Sequence, residues 1–268
     1  MRLERFRLEL VEPGVALLTF DRPPVNAQDR RTREELVWLA DAIAERDDIR
    51  AVVLTGAGKV FSAGADIKER VTIEGGAADY LRHNRVTRES FFALTDCPKP
   101  VIAALNGPAI GAGYALAAGC DIIVAAESAW IQMPELDRGL MGGAKFLEQH
   151  LPRTLCRLLF FTGRRLGGND LLRHGAVADV VPDTELIPTA LGIAREIATK
   201  HPPAVAKAKA TFNAVELMPL RDGYRFEQSV TYELSTTAYA RESQQAFLER
   251  RPAEHTAPQE RREGGARS

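Results

Sequence analysis

The apolar positions of this chain change period several times. Residues 6–12 alternate, and residues 15–20 form a short apolar run. That run is bounded by Pro13-Gly14 and by Asp21-Arg22-Pro23-Pro24, so two strands are predicted at the start. Residues 31–45 place Leu36, Leu39, Ala40 and Ile43 at helical spacing. Residues 51–55 (Ala-Val-Val-Leu-Thr) then read as a parallel strand buried on both faces. A polar stretch over 73–95, predicted helical, leads to a second such strand at 101–105. Small residues over 111–119 suit a tightly packed helix, with strands expected at 122–125 and 130–133. This alternation predicts α/β layers joined by βα turns.

Beyond Gly142 the pattern turns helical. Helices are expected over 144–161, 185–200, 202–216 and 222–250, with a brief strand at 177–181. The expected organisation is an α/β core over 1–200, a helical part over 201–252 and a tail over 253–268. The tail's charge, its Gly and Pro content and its lack of an apolar face predict disorder.

Composition narrows the partners. The chain has 268 residues, 45% of them hydrophobic and 26% charged, with a net charge of −1. That is enough chain to bury a large core. No global field attracts nucleic acid or an anionic membrane, although a local cluster of cations for a nucleotide's phosphates stays open. Cys97, Cys120 and Cys156 are odd in number and match no metal spacing, and the five histidines form no ligand set, so no metal is expected. A reducing, cytoplasmic setting is the expectation. No secretory signal is expected from the charged first residues, and no run reaches the ~18 apolar residues of a membrane span.

The candidate chemistry lies in two small-residue turns, Phe61-Ser62-Ala63-Gly64-Ala65-Asp66-Ile67-Lys68 and Asn106-Gly107-Pro108-Ala109-Ile110-Gly111-Ala112-Gly113. Each joins an apolar run to a helix-like run. A helix start leaves backbone N–H groups unpaired, and small residues let a carbonyl approach them. Two such turns facing one another form an oxyanion hole.

The two turns occur with Arg22-Pro23-Pro24-Val25-Asn26-Ala27, Val52-Val53-Leu54-Thr55-Gly56, Cys120-Asp121-Ile122-Ile123-Val124-Ala125 and Met133-Pro134-Glu135-Leu136. Thr162-Gly163, His174-Gly175-Ala176-Val177 and Ala246-Phe247-Leu248-Glu249-Arg250 complete the set. In that order, over roughly residues 6–252, the chain resembles the enoyl-CoA hydratase/isomerase (crotonase) superfamily. The resemblance implies a crotonase-like (ClpP/crotonase) α/β fold of repeated ββα units, with a helical C-terminal trimerisation part and assembly as a homotrimer or homohexamer. It implies backbone donors at Ala65 and Ala112 and an acid/base at Glu135. The substrate would be an acyl-CoA, with its coenzyme A near Ala63, Ala65, Asp66, Ile67 and Lys68. No tightly bound cofactor, nucleic-acid partner or membrane is implied.

Three departures from the family pattern bear on the reaction. Ala112 stands where relatives often have Gly, a mild change because the donor is backbone. Ala115 stands where hydratases carry their first glutamate. Gly143, eight residues after Glu135, excludes the second acid of dienoyl-CoA isomerases and the nucleophile of aromatic dehalogenases. Glu135 is then the single carboxylate for hydration or double-bond isomerisation of an enoyl-CoA through an enolate. The alternatives are a thioester or C–C hydrolase on the same scaffold and a non-catalytic acyl-CoA-binding homologue. Asp137 would share the face of Glu135 if that segment is extended, or else is a turn residue or a partner of Arg138. Tyr114 and Ser62 are read as packing or turn structure. Lys68 and the Arg250-Arg251 pair are candidate phosphate contacts or solvated charges. Tyr80, Leu81, Phe91 and Phe92 line an acyl pocket or pack in the core.

Overall fold

A computed structural model describes residues 2–71, 76–251 and 253. Strand β1 (Phe6–Glu12) runs antiparallel to β2 (Gly14–Phe20), with Phe6 opposite Phe20 and their rings stacked at 4.9 Å. The two-residue strand β3 (Ala27–Gln28) precedes α1 (Arg30–Ala44). Asp29 caps α1 by accepting the N–H and the hydroxyl of Thr32, at 2.8 and 2.7 Å. The buried face of α1 carries Leu36, Leu39, Ala40 and Ile43, as their spacing predicts.

Strand β4 (Ile49–Gly56) leads through β5 (Gly64–Ala65) to α2 (Ile67–Arg70) and α3 (Gly76–Asp96). The helix expected from residue 73 is seen from Gly76, and its expected first residues lie outside the described ones. Next come β6 (Val101–Leu105), β7 (Ala109–Ile110), α4 (Ala112–Ala118), β8 (Ile122–Ala126) and β9 (Trp130–Gln132). The six-stranded sheet has the order β1-β2-β4-β6-β8 and ends on β11 (Asp179–Val181), the strand expected over 177–181. All of its pairings after the first are parallel. Residues of β4 and β6 are buried on both faces, which is why they read as continuous apolar runs.

The helix expected over 144–161 is two helices, α5 (Ala144–His150) and α6 (Arg153–Thr162). Leu151 and Pro152 between them are extended, because the residue before a proline is driven out of the helical region. After α6, β10 (Arg165–Gly167) pairs with β9, and β9 pairs with β7, in a second, three-stranded sheet. Helix α7 (Gly168–Arg173) precedes β11, and α8 (Leu186–Ala198) packs across β2, β4, β6 and β8.

The chain divides into two compact units, Met1–Ala206 and Lys207–Ser268, so the boundary falls inside α9 (Pro202–Val215), six residues beyond the one expected. In the second unit, the helix expected over 222–250 is also two. They are α10 (Leu220–Ser235) and α11 (Ala238–Leu248), broken where the Thr237 hydroxyl accepts the N–H of Ala240. Arg251, a candidate phosphate contact by sequence, is held by Glu242 and Glu249 at 2.6 Å each. The tail expected over 253–268 lies outside the described residues apart from Ala253.

Candidate active site

The first turn is shaped by Gly64. Its φ of +84° lies where side chains are strained, and a Cβ there would sit 2.4 Å from the Ile110 carbonyl oxygen and 3.3 Å from the Ala112 nitrogen. The two turns predicted to carry the donors therefore pack backbone against backbone. Ser62 bridges Ala109, its N–H donating to Pro108 O at 3.1 Å and its carbonyl accepting from Ile110 N at 2.9 Å. The Ser62 hydroxyl is buried and donates to Asn26 O at 2.7 Å, the turn role read from sequence. Asn26 is itself buried with a φ of +52°, and its amide donates to the carbonyls of Ala57 and Val60.

Ala65 lies in β5, in register with Gln28 of β3. Asp66 follows as the N-cap of α2, its carboxylate accepting the N–H of Lys68 at 2.9 Å. Arg22 donates to the same carboxylate at 2.6 Å. Burial alone would raise the Asp66 pKa, but Arg22 and the backbone donors hold it below the usual carboxylate value. Asp66 is thus engaged in holding the turn. Ala63 is half-buried, and Ile67 and Lys68 are exposed.

Ala112 opens α4. Gly111 before it offers no side-chain cap, so the Ala112 N–H has no intrahelical acceptor. Gly111 has a φ of +52°, and a Cβ there would lie 2.5 Å from Oε1 of Glu135. The Glu135 carboxylate therefore sits directly over the residue that precedes the second predicted donor. This follows from the ladder: β7 and β9 pair in parallel, with Ile110 opposite Gln132, so Ala112 and Glu135 leave neighbouring strands at the same end.

Glu135 is not in a surface ion pair. Its Oε2 is buried with no hydrogen-bond partner among the described residues. Burial raises its pKa from 4.5 to about 7. A carboxyl of this kind is divided between its two forms near neutral pH, which suits a group that takes and returns one proton.

The remaining candidates separate. Glu135 is in the helical region, at φ −57° and ψ −42°, and Leu136–Arg138 is a 3-10 turn. The segment is therefore not extended, and Asp137 does not share the face of Glu135. Its Oδ2 lies against Gly163 instead, 3.2 Å from where a Cβ would stand. Ala115 is sealed in the core at 1% exposure. Tyr114 is buried in the same helix, and burial pushes its phenol up. Its ring stands edge-on to His150. Gly143, at φ +78°, has the Met133 methyl 2.6 Å from a Cβ position. Of the acyl-pocket candidates, Phe91 is buried edge-on to Phe146 at 5.4 Å, whereas Tyr80, Leu81 and Phe92 are exposed. Among the described residues no His, Cys, Asp and Glu group could hold a metal ion, and no helix is long and apolar enough to cross a membrane.

Sequence reasoning missed Gln28. It is 2% exposed, and its side-chain amide donates to Ala112 O at 2.9 Å. The recognised motif ends one residue earlier, at Ala27, and a polar residue in a two-residue strand gives no periodic signal.

The profile of the enoyl-CoA hydratase/isomerase family matches residues 11–258. A Mycobacterium tuberculosis protein named (7aS)-7a-methyl-1,5-dioxo-2,3,5,6,7,7a-hexahydro-1H-indene-carboxyl-CoA hydrolase is 38% identical, over 89% of this chain and 96% of its own. A carnitinyl-CoA dehydratase of Salmonella enteritidis is 34% identical, over 91% and 96%. The crystal structure of an enoyl-CoA hydratase from Bacillus anthracis superposes with a TM-score of 0.87 at 31% identity, covering 94% of this chain and 99% of that one.

Proposed function

The chain belongs to the enoyl-CoA hydratase/isomerase family, and from that premise we propose that it hydrolyses a carbon–carbon bond in an acyl-CoA carrying a ketone β to the thioester, with Glu135 as the only acid/base. The observation that carries this reading is the Glu135 carboxylate poised over Gly111, its Oε2 buried with no hydrogen-bond partner among the described residues. Glu135 takes a proton from water as the water oxygen adds to the ketone carbon. The bond from that carbon to C2 then breaks, and its electron pair passes into the thioester as an enolate. The N–H groups of Ala65 and Ala112 hold the enolate oxygen. Glu135 returns its proton to C2, leaving a carboxylic acid and an acyl-CoA. The two proton transfers follow one another, so one carboxylate serves both. That suits a site where Ala115 stands in place of the first glutamate of hydratases. The hydrolase named among the relatives, with its dioxo substrate, favours this member of the family's chemistry.

Coenzyme A enters as part of the substrate, along the turn formed by Ala63, Ala65, Asp66, Ile67 and Lys68, and no other cofactor is needed. The protein works in the cytoplasm as a trimer or hexamer. A second reading is water addition to, or loss from, the acyl chain, or a double-bond shift through the same enolate. It draws on the dehydratase and hydratase relatives.

The test is product mass and thiol release after mixing the protein with 2-oxocyclohexanecarboxyl-CoA, a 2-enoyl-CoA and a 3-enoyl-CoA. Gain of one water by the cyclic ketone without release of free CoA supports hydrolysis of the ring bond. Gain of one water by the 2-enoyl substrate alone, or a shifted double bond in the 3-enoyl substrate alone, moves the assignment to the second reading. Free CoA as the first product would overturn both.

A further inference from the structure

Gln28 touches both donor turns at once. Its backbone lies in register with Ala65, and its carbonyl accepts the N–H of Asp66 at 2.9 Å. The guanidinium of Arg33, itself buried, donates to that carbonyl at 3.1 Å. On the other side, its Nε2 donates to Ala112 O at 2.9 Å and reaches the Ser62 hydroxyl at 3.4 Å. The second donor is then clamped from both directions, because Gly111 N donates to Gln132 O at 2.8 Å just before it. We propose that Gln28 is the positioning residue of this site: its backbone fixes the Ala65 turn, its amide fixes Ala112, and together they set the separation of the two N–H groups that grip the thioester oxygen.

The physical case is one of geometry against alternatives. The two turns come from different crossovers, and the backbone bonds of Ser62 join them at one bridge that stops short of Ala112, where a slide is opposed by the side chain of Gln28. A buried amide donating to a carbonyl resists that slide, since breaking the bond leaves the interior amide of Gln28 without that acceptor. An apolar residue of the same length would fill the volume but leave Ala112 O with one donor fewer. Preorganised donors act only when they point where charge develops, so the loss appears in polarisation of the carbonyl more than in binding.

This inference rests on the acyl-CoA reading above, and the test separates the two. The probe is 4-(dimethylamino)cinnamoyl-CoA, a push–pull thioester whose absorbance moves to the red when its carbonyl oxygen is gripped. It is titrated into the Glu135→Gln protein, which holds the probe without turnover, and into the same protein carrying Gln28→Met. The expected result is binding within about threefold in both and loss of at least half of the red shift in the second. A third protein, Glu135→Gln with Gln28→Glu, keeps the length and makes the donor titratable. Its shift should be present at low pH, where the new carboxyl donates, and fade as pH rises. Arg33 and Asp66 are the charged groups beside this backbone: burial lowers the pKa of Arg33, and Arg22 and backbone donors hold the Asp66 carboxyl below its usual value. A full red shift in the Gln28→Met protein overturns the proposal. If that variant does not fold, a pH-independent shift in the Gln28→Glu protein overturns it instead. Absence of any shift in the parent protein overturns the acyl-CoA reading itself, and the role of Gln28 with it.

Discussion

Replacing Glu135 by Gln should stabilise the protein above neutral pH while stopping its chemistry. Burial raises the folded-state pKa of this carboxyl from 4.5 to about 7. Below pH ~4.5 the group is protonated in both folded and unfolded chains and contributes no pH dependence. Between ~4.5 and ~7 the unfolded chain ionises first, so the folded state loses stability as pH rises. Above ~7 both are ionised and the difference is constant. Taken at face value the raised pKa corresponds to about 3 kcal/mol. Glu135 is only partly buried, so solvent screening reduces this to about 1–2 kcal/mol. Gln cannot ionise and escapes that penalty, although its amide inherits the unpartnered position of Oε2. Thermal denaturation of both proteins from pH 4 to 9 should therefore give curves that diverge between pH ~4.5 and ~7. The divergence should reach a few degrees in favour of Glu135→Gln and then run parallel. Turnover should fall by about 10²–10⁴. Curves that stay parallel throughout would show that Glu135 is not desolvated, and an active Gln variant would remove it from the mechanism.

Three further outcomes follow from the same geometry. The kcat/KM profile of the unmodified protein should fall on the acid side with a midpoint near pH 7, where Glu135 gains its proton, and that limb should be missing from the residual activity of the Glu135→Gln protein. Gly111→Ala should lower stability by about 1–3 kcal/mol, read by urea denaturation, because its φ is positive; by pushing Oε1 aside it should also cost about 10²-fold in turnover. Glu35 is fully buried and accepts the N–H groups of Glu4 and Arg5 and the Arg31 side chain, so Glu35→Ala should cost about 3 kcal/mol and speed amide exchange along β1.

Much of the framework was legible in the sequence because the signals are local. The runs at β4 and β6 are apolar since both faces are covered, and the donor turns show as glycines because backbone meets backbone there. The breaks inside two long helical stretches do not show in the apolar pattern. One is enforced by Pro152 and was readable; the other depends on the Thr237 cap, which resembles any threonine on a helix. The posture of Glu135 was not readable, because the residues that follow it could be extended or form a turn; they form a 3-10 turn, the turn role being one of those read for Asp137. Nor was the clamp on the donors: Arg22 meets Asp66 across 44 residues, and Gln28 meets Ala112 across 84. Such pairs leave no periodic trace.

The division of the chain after Ala206 bears on the order of events at the ribosome. Gln28, Ala65, Ala112 and Glu135 all belong to the first unit, and the helix packed across its sheet, α8, is finished by Ala198. Synthesis delivers the N-terminal part first, and domains generally fold as units. The nascent chain therefore holds every group of the proposed reaction centre before the second unit is made. A stalled or truncated product ending in α9 should already carry the proposed proton-transfer machinery, and errors in the last sixty or so residues should affect its survival before they affect its chemistry.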